Sequence, residues 1–284
     1  MDRILRGILN DGKIRIFLAN TSKSCEKICS LHNLNGVGSD ALSRVCSIAA
    51  IMGVMQKAGR LTVKIDANGP LKSIVVDADA EGNIRGFVAN PELDKKVRKV
   101  EEAVGELGFI TVIKDLGMKH NFSSQIELQT GGIGQDFSYY FKESEQVPSV
   151  VVVGSSLNNN EFTTGALIVQ LMPGYKEEDI LYVESFARQC PPLGEILKHE
   201  DMEGVLKELF PDIEILSTTD VNFKCSCSKA RFIAGVATLP IEDLEDMIKE
   251  GKDQEIYCNF CNSRYILTKD DLECALQIKK DNSN

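Results

Sequence analysis

The apolar positions of the first 90 residues switch between a period of two and a period near 3.6, the signatures of strand and helix. Residues 13–20, Lys-Ile-Arg-Ile-Phe-Leu-Ala-Asn, alternate as a strand. Thr21 to about Asn33 has helical spacing, with Cys25 and Cys29 on one face. Ser39-Asp40 is expected to cap a long helix running to about Ala58, apolar enough to be buried. Its Cys46, Met52 and Met55 are read as core residues. Residues 61–66 form the next strand, and 73–77 with 84–89 flank a turn at 80–83 as a hairpin.

The middle of the chain is less regular. Residues 91–108 are charged, with a short helix near 97–104, and strands are expected at 109–115 and 124–129. Gly131-Gly-Ile-Gly134 resembles a phosphate loop only loosely. It lacks the later glycine of a dinucleotide fingerprint and the Lys-Ser/Thr of a P-loop, so it is read as a helix entry. An aromatic-rich helix at 136–145 follows, closed by Pro148. Two apolar β runs, 150–154 and 166–172, enclose a polar tip at Asn158-Asn-Asn160. Several strands with few helices give an α+β domain over 1–174.

Composition changes beyond Gly174. Residues 175–224 hold five Lys or Arg against twelve Asp or Glu. Helical spacing recurs at 180–188 and 202–209, interrupted by Pro191-Pro192 and Pro211. Residues 175–220 therefore read as an acidic helical linker. Its apolar stripe (Leu181, Phe186, Val205, Leu206, Leu209, Phe210) either is a solvated connector's residue or docks weakly and comes loose. The 284-residue chain carries a net charge of −10, which argues against nucleic acid as the main partner. Nine cysteines without a signal-peptide pattern point to a reducing compartment, the cytoplasm. The longest apolar run, 45–55, is short for a membrane span, which needs about 20 residues.

Four cysteines are concentrated in a small C-terminal domain, residues 221–284. Cys225-Ser-Cys227 and Cys258-Asn-Phe-Cys261 are two chelating pairs separated by thirty residues. Two tight turns of this kind supply four sulfurs at tetrahedral corners, the pattern of a closed structural zinc site. None of His32, His120 and His199 lies nearby, so an all-sulfur set is what the local sequence offers. Four reduced cysteines packed as small hydrophobes are the plain alternative. A thioredoxin-like motif fits less well, because Glu255-Ile-Tyr before and Asn262-Ser-Arg-Tyr after the second pair look like a hairpin knuckle. Between the pairs, helices are expected at 230–238 and from Pro240, with a final one at 269–278. Lys224, Lys229 and Arg264 flank the cysteines and would partly offset thiolate charge. Cys190 and Cys274 are read as free thiols, and His199 as a solvated side chain.

Taken together, these residues resemble the heat shock protein 33 family of redox-regulated chaperones. The tail matches in kind and spacing, as do Leu61-Thr-Val-Lys-Ile, Gly69-Pro70, Ala78-Asp-Ala and Gly86-Phe-Val-Ala-Asn-Pro91. So do Leu107 to Leu116, Asp136-Phe-Ser-Tyr-Tyr-Phe and Ser144-Glu-Gln-Val-Pro. A more charged 91–108 loop and the absence of tryptophan depart from the pattern. The resemblance implies an N-terminal domain that dimerises, a helical linker and a zinc-binding redox switch. Cys225, Cys227, Cys258 and Cys261 would hold one Zn²⁺ in the reduced form, and Cys225–Cys227 and Cys258–Cys261 would be disulfides in the oxidised form. The implied activity is ATP-independent holding of unfolding client proteins under oxidative and heat stress, by a homodimer with no nucleic-acid or membrane partner. Two rivals stand beside it: a zinc-ribbon module binding protein or nucleic acid through a permanent zinc, and an enzyme, for which no catalytic set is legible.

Overall fold

The computed structural model describes residues 1–118, 120–158, 161–198 and 201–281. Asn159 and Asn160 of the expected polar tip, and His199, lie outside the described residues. The chain divides into two compact units, Met1–Lys224 and Cys225–Asn284.

The first unit opens with β1 (Arg3–Leu9), β2 (Ile14–Asn20), α1 (Ser22–Leu31) and α2 (Gly36–Met55). Next come β3 (Arg60–Ala67), β4 (Ser73–Asp79), β5 (Asn83–Val88), α3 (Val100–Val104), β6 (Gly108–Asp115) and β7 (Phe122–Glu127). Then follow α4 (Gly134–Glu143), β8 (Ser149–Asn158), β9 (Glu161–Leu171), α5 (Glu177–Gln189), α6 (Leu193–Ile196) and α7 (Met202–Leu209). The unit closes with β10 (Glu214–Asp220) and β11 (Asn222–Phe223). The second unit holds α8 (Lys229–Val236), α9 (Ile241–Glu250), β12 (Gln254–Tyr257), β13 (Arg264–Leu267) and α10 (Lys269–Asp281).

Two sheets form the first unit, with strand orders β10-β1-β2-β9-β8 and β11-β5-β4-β3-β6-β7. This is the expected α+β class. Helix α2 lies between them, packing on β8 and β9 of one sheet and β3, β4 and β5 of the other. Its apolar composition is long enough for a membrane span, and its residues are instead largely buried in this core. Gly53 permits the close approach: a Cβ there would lie 2.6 Å from the Asp79 carbonyl oxygen.

The expected caps of α2 are displaced. The helix starts at Gly36 after Asn35, without a side-chain cap, and ends at Met55. Ser39 and Asp40 are inside it, Asp40 accepting from Arg44 Nε at 2.7 Å one turn on. The glycine loop closes on its own acid. The backbone N–H groups of Gln129 and Thr130 donate to the buried Asp136 carboxylate at 2.9 and 2.8 Å.

The first sheet is apolar on both faces. Ile4, Phe17, Ala166 and Ile168 join α1 and α2 in one core. Leu5, Ile16, Leu18, Leu167 and Val169 face a second core closed by α5, α6 and α7. Residues 175–220, expected as a linker, thus pack into the first unit. Leu206 and Phe210 are fully buried, and the Phe186 and Phe210 ring centroids are 4.5 Å apart. Leu181 departs from the expected stripe: it is 60 % exposed, and Val183 is buried instead. A polar latch adds to the docking, Asn10 Nδ2 donating to Asp179 Oδ1 at 2.8 Å.

Phe210→Ala is expected to lower the stability of the first unit by about 3–5 kcal/mol. The shift is read from the urea midpoint of its far-UV transition; a change under about 0.5 kcal/mol would show that α5–α7 add no packing.

Candidate metal centre

Each cysteine pair is placed by a turn with a local cause. Cys258 and Cys261 sit between β12 and β13, which pair antiparallel from Gln254↔Leu267 to Tyr257↔Arg264. Cys258 N–H donates to Ser263 O at 3.0 Å and Asn262 N–H to Cys258 O at 2.8 Å. Asn262 takes φ 54°, a left-handed conformation that asparagine tolerates better than most residues. The expected knuckle is therefore present. The other pair precedes α8, where the Ser228 hydroxyl accepts from Arg231 N–H and caps the helix.

All four Sγ atoms of Cys225, Cys227, Cys258 and Cys261 lie within 4.8 Å of one another. Two separations between the pairs are short: Cys225 to Cys258 is 3.7 Å, and Cys227 to Cys261 is 3.4 Å. All four are free thiols. Four sulfurs about 2.3 Å from a tetrahedral centre stand roughly 3.8 Å apart. A disulfide needs about 2.05 Å. The cluster thus has a metal site's dimensions, and its soft donors suit zinc among the common divalent ions. Cys258 is buried and the other three are half-buried.

Hydroxyl groups border the sulfurs. Tyr265 OH is 3.2 Å from Cys227 Sγ, and Ser263 Oγ is 3.2 Å from Cys261 Sγ. The Phe232 ring packs on Tyr265 at 4.9 Å and fixes that phenol. Burial pushes the Cys258 thiol up to about 12 and raises Cys227 as well. Cys261 moves the other way. Desolvation opposes ionisation there, but hydrogen bonds from the Ser263 side chain and backbone, with smaller contributions from Cys227 and Cys258, bring it down to about 7.

A family profile described as "Hsp33 protein" matches residues 2–268. The chain belongs to the Hsp33 family. The 33 kDa chaperonin of Bacillus licheniformis is 38% identical over 286 residues, covering 96% of this chain and 98% of the relative. That of Bacillus subtilis strain 168 is also 38% identical, over 283 residues, covering 96% and 97%. The crystal structure of the 33 kDa chaperonin (heat shock protein 33 homolog) from Thermotoga maritima superposes with a TM-score of 0.86 at 29% identity, covering 99% of each chain. The Hsp33 family is a chaperone family, and the four-cysteine cluster is its candidate metal site here.

The three flanking cations sit differently from expectation. Lys229 pairs with Asp271 at 2.6 Å, Arg264 with Glu255, and Lys224 with Glu81 at 3.8 Å. Each is matched by a carboxylate, so little of their charge is left for the sulfurs. Tyr265 and Ser263 were the neighbours to look for: period-two spacing after Cys261 puts both on one side of the returning strand. Cys25, Cys29 and Cys46 are buried in the first unit, far in sequence from this cluster; Cys190 is half-buried and Cys274 exposed. Burial lifts Cys190 to about 11.

The opposite shifts of Cys261 and Cys258 belong to the folded unit. If a metal is what keeps that unit folded, stripping the reduced protein should erase them, and iodoacetamide mapping should find the two positions alkylated at like rates. Cys261 alkylated ahead of Cys258 in metal-free protein, its rate rising through pH 7, would show that the unit keeps its contacts without metal.

Proposed function

We propose that the protein is a redox-regulated, ATP-independent holdase, without enzymatic turnover, that works as a cytoplasmic homodimer and binds unfolding client proteins under oxidative and heat stress. The observation that carries this reading is the convergence of four sulfurs in a unit with almost no core of its own. Among its described residues, the hydrophobic cluster rests on Ala237, Leu244 and Ala275, with Ile233, Val236, Leu276 and Ile278 half-buried around them. A unit of this size buries too little to be securely stable alone.

Cys225, Cys227, Cys258 and Cys261 would hold one Zn²⁺ as thiolates. When bound, the ion adds apparent folding free energy of about 10–16 kcal/mol and ties the two knuckles together. The sulfurs are also the oxidisable groups. Two thiolates join as S–S by giving two electrons to hydrogen peroxide or hypochlorous acid, which takes protons from the solvent and is reduced to water or to chloride and water. Oxidation within each pair, Cys225–Cys227 and Cys258–Cys261, ties residues that are already neighbours. It leaves nothing linking one knuckle to the other, and short loops return little stability. Oxidation between pairs, along the 3.4 and 3.7 Å contacts, would keep the knuckles joined. Switching on therefore requires the within-pair bonds.

The client surface follows from the two-faced sheet. Helices α5–α7 cover one face, and β10, at the edge of that sheet, connects them to Cys225 by way of β11. Edge elements open at the lowest free energy. Once the second unit melts, loss of the β10 and β11 pairings lets α5–α7 lift and bares Leu5, Ile16, Leu18, Leu167 and Val169. The acidic charge of 175–224 keeps a loaded complex soluble.

Hypochlorite treatment should yield two disulfides mapped within pairs and suppress light scattering from a heat-unfolded client. Hydrogen exchange should rise across 177–220 while β3 and β4 stay protected. Oxidised protein with unchanged exchange in α5–α7, or with disulfides only between pairs, would contradict the mechanism.

A further inference from the structure

Two arginines of the first sheet have no carboxylate partner among the described residues, though Arg15 lies over the Phe17 ring at 5.4 Å. β1 and β2 pair Arg6 with Phe17 and Ile8 with Arg15, so the arginines are diagonal neighbours on one face. Arg6 Nε is fully buried without a hydrogen-bond partner. Arg15 aims Nε and Nη2 at a single atom, Gln170 Oε1, at 3.1 and 2.7 Å. That acceptor is a carboxamide where a guanidinium ordinarily meets a carboxylate. Its orientation is fixed, because Gln170 Nε2 donates to Ser149 Oγ at 3.0 Å and Ser149 Oγ to Val147 O at 2.8 Å. Neither arginine has an ion pair among the described residues. Burial, and then the charge of Arg6, lower the Arg15 pKa.

Arg15 and Gln170 form one wall of a cavity of about 250 Å³ at the end of α2. Met52, Met55, Phe141 and Val147 supply an apolar wall. The single carboxylate lining it, Glu145, is taken by Lys114 Nζ at 2.6 Å and by Tyr140 O–H at 2.7 Å. The last turn of α2 opens here too, but its Met52 and Gly53 carbonyls already accept from Gln56 Nε2 and N–H, at 3.2 and 3.0 Å. The free edge of Arg15 is thus the cavity's unmatched group, in a chain whose net charge is −10.

We propose that this cavity binds a small organic monocarboxylate, its carboxylate on the free edge of the Arg15 guanidinium and its apolar body against Met52, Met55 and Phe141. One negative charge matches the one uncompensated cation of the lining. A phosphate dianion would set further charged oxygens against thioether and phenyl surface, where they find no donors. The cysteine centre takes no part.

The test uses the full-length reduced protein with its seven methionine methyls labelled for NMR. It is titrated with sodium benzoate, and with sodium phosphate and sodium chloride at matched ionic strength. The Met52 and Met55 methyls should shift saturably with benzoate alone. Arg15→Met removes the cation, and Gln170→Glu supplies an internal carboxylate that competes for it. Each should weaken benzoate binding by about tenfold or more, the remaining methionine signals reporting that the variant is folded. No saturable shift, an equal response to phosphate, or a shift that survives both substitutions would overturn the proposal.

Discussion

Four sulfurs within 4.8 Å of one another form an arrangement that ionised thiols cannot hold unaided. Two thiolates roughly 3.7 Å apart repel by about 4.5 kcal/mol at an effective dielectric of 20, and Cys225–Cys258 and Cys227–Cys261 are two such contacts. The carboxylate-paired Lys229 and Arg264 do little to offset this. A cation at the centre would turn the repulsion into attraction, and the proposed function makes the rest of the C-terminal fold depend on it. Leu244, Leu267 and Leu272 are buried, but they are few, and α8 has no fully buried residue. A packed core would be insensitive to an oxidant. Sulfur is not, so in the proposed switch the atoms that give stability are the ones an oxidant converts.

The first unit has the opposite character. One core encloses α2, a second lies against the opposite face of the first sheet, and together they bury both faces of that sheet. Cys25, Cys29 and Cys46 are inside the core around α2, the Cys29 thiol raised by burial and the Cys46 thiol held well above its ordinary pKa by its hydrogen bond with Cys25 and then burial. In the proposed switch the buried thiols of the body stay out of the chemistry and the clustered sulfurs of the tail carry it. The acidic helices α5–α7, packed in the first unit, carry apolar surface that docks them there and charge that would keep them in solution once released.

How much of this was legible depended on whether a segment had one wet face. Strands β2 to β6 and the helices α1, α4 and α7 follow clear periods and are found where those periods place them. β1 was missed because Ile4 faces one core and Leu5 the other, so no alternation marks it. β10 was missed for the opposite reason: most of Glu214–Asp220 is exposed, and its strand form comes from pairing with β1. The start of α2 was misplaced because Ser39-Asp40 has a capping composition while the chain turns earlier, at Asn35. The centre was readable because cysteine spacing encodes its geometry directly. Tyr265 and Ser263 were missed, since period-two spacing after Cys261 puts them on one side without saying that a hydroxyl meets sulfur there.

The central claim is that metal bound by four sulfurs holds the second unit folded. Its most direct test is to strip reduced protein with a chelator and follow the resonances of residues 225–284 by NMR as zinc is returned. The account predicts collapsed dispersion and fast amide exchange in that unit alone, restored at one equivalent of zinc. A metal-free, reduced protein whose C-terminal unit keeps its dispersion and melts cooperatively would contradict it.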